Sequence, residues 1–157
     1  MQGGVLCIAA LAVLPLAACG GGSSSRLSAA DYRARITKIS QEASTAESHV
    51  ALGLRAQTLA ELRQRLDAFS ADTQRIGDEV AKLKPPQNAA AANAELAQGM
   101  HETARATHKV SAVVARLHTP REAITYLESN PANNKGAHEV NDALAKLQKL
   151  GYASGGS

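Results

Sequence analysis

Aromatic residues are almost missing from this 157-residue chain, which has no Trp, one Phe (Phe69) and three Tyr (Tyr32, Tyr126 and Tyr152). Any core must therefore be assembled from aliphatic side chains and Ala. Cysteine is as scarce: Cys7 and Cys19 are the two, and everything after residue 19 lacks a thiol. That excludes a disulfide framework and a cysteine nucleophile or metal ligand from the bulk of the chain. Charge is absent from the first 19 residues, so the 17 Lys and Arg and the 14 Asp and Glu all lie beyond them. They interleave without a block of one sign, and a formal charge of +3 spread in this way argues against a dedicated nucleic-acid surface. Strand patterning is missing too, since β-branched and aromatic residues nowhere alternate with polar ones over a useful length. What remains is one domain's length of helix-forming sequence.

The N-terminus holds an apolar run from Val5 to Ala18. It has the length of a signal-peptide core and falls short of the roughly 20 residues that cross a bilayer. Leu16-Ala17-Ala18-Cys19 closes it: Ala17 and Ala18 suit a narrow cleavage site, and Cys19 offers a thiol. These four positions resemble the lipobox of bacterial lipoproteins throughout. The resemblance implies cleavage between Ala18 and Cys19, a diacylglyceryl thioether on Cys19, and acylation of the new amino group. With about 0.8 kcal/mol per buried CH₂, two or three acyl chains hold a protein stably on a membrane. Gly20-Gly21-Gly22-Ser23-Ser24-Ser25 then reads as a flexible tether. Met1-Gln2-Gly3-Gly4 departs from the pattern by carrying no Lys or Arg, and whether Met1 is the true start stays open. The expected organisation is a signal peptide (1–18), a lipidated Cys and tether (19–27), a helical bundle (28–152) and a disordered tail (153–157). The expected location is the cell envelope, facing outside the cytoplasm.

Beyond the tether, helix signals succeed one another. Ser28-Ala29-Ala30-Asp31 reads as a capping box, and Tyr32, Ile36, Ile39, Ala43, Ala46 and Val50 share a face of a helix running from about 29 to 52. Gly53 ends it, and Thr58 with Glu61 opens the next. Leu59, Leu62, Leu66, Phe69, Thr73, Ile76, Val80 and Leu83 then alternate in steps of three and four, a heptad seam in which Leu66 and Phe69 are expected to be buried. Lys84-Pro85-Pro86 must stop that helix. Asn88 is positioned to cap a third helix over about 89–118, with Leu96, Met100, Thr103, Thr107, Val110, Val114 and Leu117 on one face. Thr119-Pro120-Arg121-Glu122 starts a fourth. Asn130-Pro131-Ala132-Asn133-Asn134-Lys135-Gly136 interrupts it before Val140, Leu144 and Leu147 resume the stripe up to Gly151, so that segments 120–129 and 137–150 together make one arm.

Strong breaks at these intervals turn the chain back on itself. They select an all-α antiparallel bundle with a broken fourth arm over an extended coiled-coil rod. The bundle resembles small helical lipoproteins and secreted proteins of actinobacterial type, through Asp31-Tyr32-Arg33 with Ile36 and Ile39, Leu83-Lys84-Pro85-Pro86, and Leu150-Gly151-Tyr152. Those proteins often carry Cys where this chain has Ser40 and Ser154. The resemblance implies a helical fold and an envelope location, and no activity.

The five histidines are His49, His101, His108, His118 and His138. His101 and His108 share a helix face but lie about 10 Å apart along the axis, too far for one ion. Neither His101-Glu102 nor His138-Glu139 has the second His that a zinc-peptidase helix requires. Solvated surface histidines are the expectation, with no metal and no cofactor. There is no Gly-x-Ser-x-Gly and no phosphate loop, so no catalytic residue is assigned. The leading functional expectation is a non-enzymatic envelope module that binds another protein or a small ligand, held to the membrane by lipid on Cys19. The alternative is a small-ligand or metal-ion carrier. Thr73, Thr103 and Thr107 discriminate: a cavity ringed by them favours the carrier, while a filled aliphatic core, with each hydroxyl bonded one turn back along its own helix, favours the interaction module.

Overall fold

The computed structural model describes residues 25–53, 58–129 and 135–153. The signal run, the Ala18–Cys19 cleavage point, the lipidation of Cys19 and most of the tether lie outside the described residues. So do residues 130–134 of the expected break, residues 154–157 of the expected tail, and the side chains of His49 and Val50.

All regular structure among the described residues is helical: α1 (Ala29–Gly53), α2 (Leu59–Lys82), a 3₁₀ turn (Gln87–Ala89), α3 (Ala90–Val114), α4 (Pro120–Ser129) and α5 (Lys135–Lys149). The chain is an all-α antiparallel bundle in which α4 and α5 in series make the fourth arm. Local chemistry sets the starts. Ser28 Oγ accepts the Asp31 N–H at 3.1 Å. Thr58 Oγ1 accepts that of Glu61 at 3.1 Å. Thr119 Oγ1 takes the Glu122 N–H at 3.3 Å, while the Glu122 carboxylate accepts from the His118 N–H at 3.0 Å. The bonds to Ser28, Thr58 and Thr119 each satisfy a backbone donor that the first helical turn leaves unpaired, and the Glu122 carboxylate ties down the residue before the cap. Leu83, extended at φ −65° and ψ 146°, ends α2 before Lys84 and the two prolines.

Three expectations change. Lys135 and Gly136, expected within the break of the fourth arm, instead form the first turn of α5. Asn88 lies inside the 3₁₀ turn and does not cap α3; its side-chain oxygen instead accepts the Tyr152 hydroxyl at 3.1 Å. And α3 stops at Val114, four residues early, because the chain tightens there: the N–H groups of Arg116 and Leu117 reach back only three residues, to Val113 and Val114.

α2 packs along both α1 and α3, and α5 packs along α3. α5 runs antiparallel to α3, with Lys135 on Glu102 (3.1 Å) near its start and Lys146 on Glu95 (2.5 Å) towards its end. The approach is close because Gly136 faces it: a Cβ there would stand 2.5 Å from the Thr103 nitrogen and 2.9 Å from the Gly99 oxygen. Gly151 ends α5 with φ 78°, a left-handed value that favours glycine. The Tyr152 N–H then bonds the Leu147 carbonyl and the Gly151 N–H that of Gln148, both at 2.8 Å. This pair of bonds is the Schellman motif, and it folds Tyr152 back into the core.

That core is divided. One cluster, around Tyr32, Ile36, Ile39, Ile76, Val80, Leu96, Met100 and Leu147, fills the end where α1 begins and α5 finishes. A second, of Leu62, Leu66, Val110, Val114 and Ala123 with Tyr126 and Leu127 against it, fills the end where α4 sits. No helix of the described residues is long and apolar enough to cross a membrane.

Candidate functional site: a cavity between the two cores

The two clusters do not merge, because the seam between them is small or polar. Thr73 on α2 and Thr103 and Thr107 on α3 occupy heptad positions that Leu or Ile would fill in a continuous core. At the same level the fourth arm changes from α4 to α5. The result is a cavity of about 280 Å³ lined by every helix of the bundle. α2 contributes Leu66, Phe69, Thr73 and Ile76, and α3 contributes Met100, Thr103, Thr107 and Val110, each in the same three-four-three steps. Leu127 closes one side from α4 and Val140 from α5, while Ala43 lies on α1. Glu47, Ala137 and Asn141 also border the cavity and are exposed, which places its mouth between α1 and α5.

The three threonines behave differently. Thr103 donates its hydroxyl to the Gly99 carbonyl one turn back, at 2.9 Å, as an ordinary helical Thr does. Thr73 and Thr107 make no side-chain hydrogen bond among the described residues, although Thr73 is only 8 % exposed. Their hydroxyls therefore offer a donor and an acceptor each to whatever enters. Phe69, expected to be buried in the seam, is half-buried and forms part of the wall. Phe69 stands in the stretch of the seam between the two clusters and belongs to neither.

Charge is sparse at the site. Among the described lining residues Glu47 is the one charged side chain, and none of them is a Lys, Arg or His. Beside the cavity, Glu102 and Lys135 anchor the start of α5. Hydrogen bonds from Gln98 and then Lys135 hold the Glu102 carboxyl below its ordinary range. The Lys135 amine is raised by Glu102 first and Glu139 second.

The histidines lie elsewhere. His101 Nε2 is 2.9 Å from Asp78 Oδ1 on the outer face of α2 and α3. His108 is exposed in a shallow groove with Arg63, Arg105 and Lys109. His118 and His138 are exposed. Among the described residues no three His, Cys, Asp or Glu side chains gather closely enough to hold a metal ion. Sequence reasoning picked out the threonines but missed Glu47 and Asn141. Both are polar residues on solvated helix faces, and only the pairing of α1 with α5 brings them to one opening. Set against protein-family models, curated proteins and solved structures, the chain matches none of them.

Proposed function

We propose that this is a lipid-anchored envelope protein, without catalysis of its own, that binds a small and largely apolar molecule inside its helical bundle. The observation that carries the ligand half is the cavity ringed by Thr73, Thr103 and Thr107, with two of the three hydroxyls uncommitted. A bundle built only to display an outer surface has no use for polar groups facing unfilled space at its centre, since each forgoes the stabilisation of a packed apolar side chain. The volume lies at the small end of ligand sites, and the balance of an apolar wall with a few convergent polar groups is theirs as well. The anchor half is supported by Leu16-Ala17-Ala18-Cys19 and the Gly/Ser tether behind it. In this reading the lipid on Cys19 keeps the bundle at the membrane surface, where apolar molecules concentrate.

The absence of Trp provides the test. Phe69→Trp places a single indole in the cavity wall, and titration with octanol should shift its emission saturably and raise the melting temperature as ligand binding to the folded state requires. An emission spectrum and a melting temperature that stay constant up to the solubility limit of octanol would refute the reading.

A further inference from the structure

We infer that the occupant is a short amphiphile whose polar end is uncharged or cationic, and that carboxylic acids of the same length are turned away. The inference rests on the cavity being a ligand site and goes on to the class of ligand. Size comes first. A cavity of about 150 Å³ accommodates benzene, so by proportion 280 Å³ holds about eleven non-hydrogen atoms, an eight-carbon chain with a head group.

Polarity comes second. The deep wall is Leu66, Ile76, Met100 and Val110, all buried, and the polar atoms that face it are the neutral hydroxyls of Thr73 and Thr107. A head group pointing inward meets those hydroxyls and, among the described residues, no counter-charge, which suits an alcohol and strands an anion away from water. A head group pointing outward meets Glu47 at the mouth. That carboxylate makes no ion pair among the described residues, so an ammonium gains a partner there and a carboxylate meets like charge. Asn141, the other polar residue at the mouth, both donates and accepts and does not discriminate. Neither orientation accommodates a carboxylate, while an alcohol is served inside and an amine outside.

The experiment is calorimetric titration of the full chain with octylamine, octanol and octanoate at neutral pH. Two plugged variants, Thr107→Phe and Ala137→Phe, subtract binding elsewhere in the chain, the apolar run at residues 5–18 included. Two are used because either alone could fail to fold, which circular dichroism detects. An exposed charge pair is worth a factor of a few, and the amine gains what the acid loses, so octylamine should bind about tenfold more tightly than octanoate with octanol between. Glu47→Gln should bring the three affinities within about twofold of one another. Octanoate binding as tightly as octanol, or a preference for octylamine that survives Glu47→Gln, overturns the inference and leaves the cavity as a ligand site. Binding of none of the three, or binding that a folded plugged variant retains in full, overturns the ligand site itself.

Discussion

Removing one oxygen atom from Tyr32 tests the larger core where it is most tightly specified. Tyr32 is 0 % exposed, and its hydroxyl donates to Asn93 Oδ1 at 3.0 Å. The Asn93 amide in turn donates to the Val80 carbonyl at 3.0 Å, which also accepts the Leu83 N–H at 3.1 Å where α2 ends. Tyr32→Phe keeps the ring and its edge-on contact with Tyr152, whose centroid is 5.1 Å away at 76°. Apolar packing is thereby conserved, and the change falls on Asn93 Oδ1, which loses its donor in a site that is 5 % exposed. An acceptor stranded in this way costs about 1–3 kcal/mol. For a domain of this length that lowers the melting temperature by roughly 4 °C per kcal/mol.

A second signature comes from pH. Burial, and next to it the neighbouring Tyr152, push the Tyr32 phenol from 10.0 up to about 12. The folded state then keeps a proton that the unfolded chain has already released, so this contribution is complete below pH 10.0 and is lost as the pH rises towards about 12. Each tenfold difference in proton affinity between the folded and unfolded chain is worth about 1.4 kcal/mol, so the parent should lose some 2–3 kcal/mol over that range that Tyr32→Phe does not lose. Urea unfolding of both proteins at neutral and alkaline pH measures this, and the titrating groups that do not interact with Tyr32 cancel in the comparison. Equal stability at neutral pH together with parallel alkaline decline would refute the network.

Three other outcomes are expected. Gly136→Ala should destabilise by about 3 kcal/mol or prevent folding, because backbone atoms of Thr103 and Gly99 lie where the methyl group must go; helix propensity alone favours Ala, so a urea midpoint at or above the parent's would disprove the close α3–α5 crossing. Leu66→Ala, at a site 3 % exposed and inside the second cluster, should cost about 2–5 kcal/mol, and Phe69→Ala less than half as much because its ring is only half-buried and belongs to neither cluster; equal losses by denaturant titration would mean that the wall is misplaced. Cys19→Ala should abolish incorporation of a labelled lipid precursor and leave uncleaved chain in the membrane fraction, whereas continued labelling would eliminate the lipid anchor.

How much of this could be read from the sequence depended on the range of the interaction involved. Helix starts were legible because capping is local: Ser28 with Asp31, Thr58 with Glu61 and Thr119 with Glu122 each close within three residues. The stop at Pro85-Pro86 was legible for the same reason, since proline acts on its own neighbours. The end of α3 was not. Nothing between Val114 and Leu117 forbids another turn of helix, and the chain tightens there before Thr119 opens α4. Asn88 was assigned a local role and has a long-range one, because its partner Tyr152 is 64 residues away.

The site shows the same division more sharply. A heptad pattern states which residues share a face but not what stands opposite. Tyr32 and Phe69 occupy seam positions of equal standing in the sequence; one is sealed by Asn93 and Tyr152, and the other looks into a cavity. Thr73, Thr103 and Thr107 were equally ambiguous, since a helical threonine can always turn its hydroxyl to the preceding turn. Thr103 does so, onto the carbonyl of Gly99, the residue that with Gly136 lets α5 press against α3. The contact that brings α5 so close at Gly136 thus fixes one threonine, while at the level of the broken arm the other two remain open to the cavity. Spacing along one helix located the polar ring. Whether that ring is packed shut or left available is decided by how the fourth arm meets α3, and the cavity is the consequence of a fourth arm that presses close at Gly136 and is divided between α4 and α5.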